Sequence, residues 1–488
     1  MIIAVIFSYL ILVLLIGVLS HRFFKSTSED YFVASRSIGP FILLMSLFGT
    51  NMTAFAILGA SGEAYREGIG VFALLASSSA LVIPTVFFFI GTRLWALGKK
   101  FGYLTQVQYF RDRWGSDGLG LLLFIVLVAL VIPYLLIGVM GGGITLNLIT
   151  NDQIPAWVGG LLVCLVVMMY VTYSGARGTA WVNTFQTLVF MILGAVSFVV
   201  IVNKLGGLST AIATISKSNP DLLIQGEHIQ PLKLLTYTLI PVSTAMFPHL
   251  FMHWLTAKRA ETFRYTIMFY PLCILIVWIP SVLLGIFGNI DFPDLQGAEG
   301  NSVLIRMVAL YAPGFLGGLL AAGVFAAIMS SLDSQTLALG TMFTQDIVRH
   351  YGFHNKMSEK QQVLFGRAFV FFIIGITYIL SLVMERSIFR LAVWSFTGFA
   401  SLLPVVVAAV FWKRSTKYGA LASISSVVIL WIYFFKQGWE NPGYTIAESG
   451  MMPVGVMLVV SALAMIVGSL ITKPPEDGRL KRFFPGTN

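Results

Sequence analysis

Residues 326–336 read AAIMSSLDSQT, inside an apolar stretch long enough to cross a bilayer. Two adjacent serines and an aspartate at that depth are expensive in hydrocarbon unless they find partners. The hydroxyls of Ser330 and Ser331 have two outlets. They can bond back to a carbonyl one turn earlier in their own helix, or they can face a buried cation. Hard cations take oxygen ligands, and neutral oxygens suit a monovalent ion that must also leave. Asp333 stands three residues after Ser330, near the same helix face, with Ser334 next to it. This chemistry is that of an ion-coupled transporter. No metal-ligand cluster, nucleophile–base spacing or phosphate loop is present, so neither an enzyme nor a cofactor is expected.

The elements that must hold these residues follow from composition. Of 488 residues, 57% are hydrophobic and 11% charged, whereas a soluble domain is about one quarter charged. The chain is therefore an all-α polytopic membrane protein. Its net charge of +10 marks loops on one side of a membrane rather than a nucleic-acid surface. Cys164 and Cys273 both lie in apolar segments, and no disulfide framework follows. Thirteen candidate spans run roughly over 2–20, 41–63, 71–97, 119–147, 155–173, 181–203, 233–255, 266–288, 309–345, 362–384, 389–412, 418–435 and 452–472. The first lacks a small-residue cleavage site and leads into HRFFK, which predicts a retained helix. Lys and Arg gather in alternate loops, which places the N-terminus outside and the C-terminus in the cytoplasm. The expected location is the plasma (inner) membrane, with no soluble domain at either end.

Three spans are poor helices by composition. Span 2 carries FGTNMTAFAILGASG (48–62), span 4 carries Pro133 and Gly141, Gly142 and Gly143, and span 7 carries IPVSTAMFPHL (240–250). Breaks free backbone carbonyls, which hydrocarbon tolerates only where they line a cavity or meet a partner. Spans 2 and 7 stand five spans apart and run in opposite directions. Broken helices in matching positions of two halves point to a transport site, although membrane helices also carry Gly and Pro for packing.

Four motifs give the chain a resemblance: SEDYFVASRSIGP (28–40), YSGARGTAWVNTFQ (173–186), AAIMSSLDSQTLALGTMFTQDIVRHY (326–351) and GFASLLP (398–404). In these, over nearly its whole length, it resembles the sodium:solute symporter family of sugar, proline, pantothenate, sialic acid and monocarboxylate carriers. The resemblance implies a LeuT-type core of two inverted five-helix repeats, spans 2–6 (41–203) and 7–11 (204–412, with an outer loop). One extra N-terminal helix (1–40, with its inner loop) and two extra C-terminal helices with a tail (413–488) would flank that core.

Carried over residue by residue, the family's sodium site falls on carbonyls of Gly49, Met52 and Ala327 and on the hydroxyls of Ser330 and Ser331. One departure stands out. Asn183 occupies the place on span 6 where many relatives have an acid, and Asn51 replaces an acid of the proline-type carriers. Asp333 is then either the displaced charge near sodium or a packing acid. By comparison with proline-type carriers, Phe55, Tyr134 and Ser334 line the solute cavity. His249 lies in MFPHLFMHWLTAKR (246–259), a stretch similar to monocarboxylate carriers, and either meets a carboxylate or serves as a structural hydrogen-bond partner. The reading is a sodium-coupled symporter importing a small organic solute, a monocarboxylate or an amino-acid-like compound. A proton-coupled or facilitative carrier on the same fold, and a solute sensor without transport, are the competing readings. Neither oligomeric state nor solute identity is written in the sequence.

Overall fold

The computed structural model describes residues 2–20, 32–224, 229–312, 314–352, 358–384, 387–441 and 443–484; positions 28–31 of the first motif lie outside the described residues. Its regular elements are helices, which satisfy their own backbone groups where no water can. The chain runs through α1 (Ile2–Ser20), α2 (Pro40–Asn51), α3 (Phe55–Glu67), α4 (Phe72–Phe101), α5 (Gln106–Trp114), α6 (Asp117–Ile149), α7 (Ala156–Thr172) and α8 (Gly175–Lys204). It continues with α9 (Pro231–Ala245), α10 (Pro248–Thr256), α11 (Thr262–Ile290), α12 (Phe315–Arg349), α13 (Leu364–Val383), α14 (Ile388–Phe411), α15 (Lys417–Glu440), α16 (Pro453–Leu470) and α17 (Asp477–Phe483).

Ten of the described helices are long and apolar enough to cross a membrane, and up to twelve if each of two bent pairs counts as one span. The pairs are α2–α3, bent by 58°, and α9–α10, bent by 52°. They fall on the two breaks expected in spans 2 and 7. α7 is a shorter apolar helix, joined to α8 in one helical run with an irregular step at Gly175 (φ 60°, ψ −165°). That backbone conformation is open essentially to glycine alone, which accounts for the Gly in YSGARG.

Two expectations are corrected. Span 4 is not a poor helix: α6 is one run of 33 residues through Pro133 and the three glycines. The glycines buy proximity instead. A Cβ on Gly142 would come within 2.6 Å of Val163 Cγ2, and one on Gly143 within 2.6 Å of the Ala156 carbonyl oxygen, so α6 and α7 pack almost backbone to backbone. The expected span 309–345 also begins late. A separate helix, Val303–Tyr311, precedes it, and α12 starts at Phe315.

α12 is the axis of the molecule. Its most apolar window is 83% buried, against 28–33% for α1, α13, α15 and α16, and it packs along α7–α8, α6, α1 and α2. The helix carrying the serine pair is thus sheathed in protein, which is where polar side chains at membrane depth are tolerated.

Candidate functional site

The first bend supplies free carbonyls. α2 stops at Asn51, Met52 leaves the helix (φ −95°, ψ 89°), and the Met52 amide bonds back to Phe48. Carbonyls beyond that point have run out of helical donors. The Ser330 hydroxyl reaches the Gly49 oxygen at 3.0 Å and the Ala327 oxygen at 3.1 Å, and Ser331 approaches Gly49 at 3.4 Å. The Tyr134 hydroxyl reaches the Asn51 oxygen at 3.4 Å. Four of the five expected sodium residues therefore meet across the α2–α12 contact. Met52 lies in the break, and it lines the cavity beside Asn51 and Phe55. Gly49 is needed for this approach, because a Cβ there would sit 1.9 Å from Thr187 Oγ1. Thr187 is itself fixed by donating to the Met45 oxygen at 3.0 Å.

Asp333 heads a second cluster. Tyr170 donates to its Oδ2 at 3.0 Å and Ser334 to its Oδ1 at 3.0 Å. With its proton committed there, the Ser334 oxygen accepts from Asn183 Nδ2 (2.8 Å), and His253 Nε2 lies 2.9 Å away. A hydroxyl has one donor and two acceptor positions, so this arrangement assigns the His253 proton to Nε2. Asp333, Ser334, Asn183, Tyr170 and His253 are all buried, and Asp333 has no ion pair among the described residues. An unpaired carboxylate in a dry interior is costly. Its hydrogen bonds run to Tyr170 on α7 and to Ser334, and among the described residues none joins it to Ser330 or Ser331.

The aromatic side of the site is a small cavity of about 30 Å³ lined by Asn51, Met52, Phe55, Phe247, Trp278 and Phe396, among others. The Phe55 ring packs against Trp278, Phe389 and Phe396 at centroid distances of 5.6, 5.0 and 5.3 Å. Tyr134 packs on Phe396 (4.9 Å) and His249 (5.6 Å), and His249 stacks on Phe247 at 5.1 Å. Neither ring nitrogen of His249 has a hydrogen-bond partner among the described residues, although the residue is fully buried. Phe55, Tyr134 and His249 thus share one aromatic cluster. Ser334 does not join it and belongs to the Asp333 cluster. Trp278, Phe396 and Phe247 were not singled out in the sequence, where 39 Phe and 10 Trp give no contrast. His253 could have been found, since it follows His249 by four residues and shares its helix face.

A family model, "Sodium:solute symporter family", matches residues 31–426. The chain belongs to that family. Among its relatives this symporter is 25% identical to the osmoregulated proline transporter OpuE of Bacillus subtilis (strain 168), covering 97% of this chain and 96% of that protein. It is 27% identical to the sodium/pantothenate symporter of Escherichia coli (strain K12), over 95% of each. A solved Na+-coupled sialic acid symporter, in a substrate-bound outward-open state, superposes with a TM-score of 0.79 at 17% identity, covering 97% of this chain and 98% of that one. The shared fold is LeuT-type. The symporter is a multi-pass membrane transporter and not an enzyme, and sodium is the co-transported ion of its family.

Proposed function

We propose that the protein imports a small carboxylate-bearing organic solute together with sodium, by alternating access around the two bent helix pairs. The observation that carries this reading is the convergence of the Ser330 and Ser331 hydroxyls on the Gly49 and Ala327 carbonyls at the α2 break. Sodium would replace the hydroxyl protons as the electropositive partner of those oxygens, with Met52 contributing a carbonyl from the break. The solute would sit against Phe55, Tyr134 and His249. There an anionic oxygen would accept from the protonated nitrogen of the unbonded His249 ring and meet the positive N-terminal ends of α3 and α10. Proline, pantothenate and sialic acid, named in the relatives, each carry a carboxylate, which supports this class.

In this reading α2–α8 and α9–α14 form the two inverted repeats, with α7 as a thirteenth span. α1, α15 and α16 are the additional helices, with the N-terminus outside and the C-terminus cytoplasmic. Reconstituted protein should accumulate short carboxylates or amino acids only under an inward sodium gradient, and Ser330→Ala with Ser331→Ala should abolish that dependence while leaving the protein folded. Uptake driven by a pH gradient and indifferent to sodium would replace this reading with proton coupling, for which Asp333, buried and unpaired, is the acceptor at hand.

A further inference from the structure

A cavity far larger than the midplane one lies away from it. It is a vestibule of about 590 Å³ at the end opposite the basic loops, lined by Glu63, Arg66, Glu67, Lys233, Tyr237 and Arg390 with several aromatic residues. Its charges are not equivalent. Arg66 is spent on the fold: it pairs with Glu63, donates to the Gly297 oxygen at 2.7 Å and reaches the Ser387 hydroxyl at 3.4 Å. Lys233 pairs with Glu67 at 3.6 Å. That leaves the Arg390 guanidinium, half-buried on the first turn of α14, with no ion pair or side-chain hydrogen bond among the described residues.

The wall beside Arg390 is aromatic. Trp394 lies one turn further along α14, and Phe435 and Trp439 face the cavity from α15, with Tyr237 and Tyr444 completing it. Trp394 is held against α15 so closely that a Cβ on Gly438 would meet its ring at 2.0 Å. The wall is thus pre-formed, and α15, a helix outside the two repeats, supplies part of it. Below the vestibule the rings of Phe389 and Phe55, 5.0 Å apart, separate it from the midplane cavity. Phe389 is fully buried.

We propose that this vestibule is a binding site in its own right, selective for organic monoanions with a flat or apolar body. Arg390 takes the anionic oxygens and the Trp394–Trp439 wall takes the body. A guanidinium presents a planar fork suited to a carboxylate, and a cavity with an aromatic wall beside one cation not already paired, its other charges matched among themselves, fits a small ligand. The site deepens the carboxylate reading of the transporter by placing selection for charge ahead of the Phe55–Phe389 layer. It does not require sodium.

The test is saturation-transfer NMR on the full-length purified protein, with benzoate and benzamide as probes. Benzoate should give a saturable signal and benzamide a much weaker one. Arg390→Gln should weaken benzoate about fivefold, the worth of roughly 1 kcal/mol expected for a partly exposed ion pair. Binding should persist without sodium and in the Ser330→Ala/Ser331→Ala protein, so a failed sodium site and a failed vestibule are told apart. Equal binding of the two probes by the unaltered protein overturns the proposal without recourse to any variant. So does unchanged benzoate affinity in a folded Arg390→Gln protein.

Discussion

Gly49 and Thr187 decide how closely the broken helix approaches α8, and both can be altered without touching a proposed sodium-facing hydroxyl. Gly49→Ala forces a methyl group onto Thr187 Oγ1, an overpacking cost of about 1–3 kcal/mol, and shifts the carbonyl that Ser330 approaches. Sodium affinity should fall by at least about tenfold, and adding Thr187→Ala should recover part of the loss by opening the space. No recovery in sodium titrations of the double variant would mean that Gly49 is required for another reason. Asp333 poses a different question. A carboxylate 4 Å from sodium at an effective dielectric near 20 is worth roughly 4 kcal/mol before desolvation, and Asn183 cannot supply such a charge. Asp333→Asn keeps an acceptor for Tyr170 and a neighbour for Ser334, so the fold should survive while sodium affinity drops. Asn183→Asp in that background should restore part of it, because Asn183 touches the same Ser334 hydroxyl. If the first change lowers only the amount of folded protein, Asp333 is a packing residue.

At the scale of elements, the glycines of α6 are a hinge-free seam. Gly142→Leu must separate α6 from α7 or deform both, and it should lower the melting temperature of the purified protein by several degrees, as a cost of about 1–3 kcal/mol implies. An unchanged melting temperature would show that α7 yields freely. The same glycines mark the limit of what sequence alone conveys. The bends of α2–α3 and α9–α10 were legible because Gly, Asn and Pro cluster inside otherwise apolar spans, and the serine pair because hydroxyls at membrane depth are conspicuous. Gly141–Gly143 carry the same residue type without a break, since a glycine that frees the backbone and one that admits a neighbouring backbone look alike until the neighbour is known. The surroundings of Asp333 were illegible for a related reason. Tyr170, which donates to Asp333, and His253, which meets Ser334, come from helices 163 and 81 residues away in sequence, and no local pattern ties them to the Asp333–Ser334 pair.

Over the whole molecule the two ends differ. At the vestibule end, 590 Å³ stands open above Phe55 and Phe389. At the basic end the loop before α5 is clamped. Gln106 donates to the Met246 oxygen at the second break (2.9 Å), Thr105 donates to Asp346 (3.0 Å), and Arg36 reaches the Tyr103 and Leu255 oxygens (3.1 and 3.4 Å). α17 lies over this clamp. Arg482 pairs with Asp112 at 2.8 Å and stands 4.7 Å over the Phe101 ring, while the buried Phe483 packs on Phe101 and Tyr109. Closure at this end is therefore braced by the tail, and passage to the opposite state must loosen contacts that the tail helps to hold. Phe483 contributes most of the apolar burial, since the Arg482–Asp112 pair is partly exposed and worth at most about 1 kcal/mol. Phe483→Ala removes about 2–3 kcal/mol of local packing and should release α17 without unfolding the transporter. Trypsin cleavage at Arg479 and Lys481, which requires the helix to open, should accelerate by roughly tenfold or more, because such cleavage follows the open population. Solute uptake should then show a raised KM, as the end bearing the clamp opens more often and the vestibule-open state is less populated. Faster cleavage with an unchanged KM would confine α17 to a local tie, and an unchanged cleavage rate would mean that Phe483 does not anchor it.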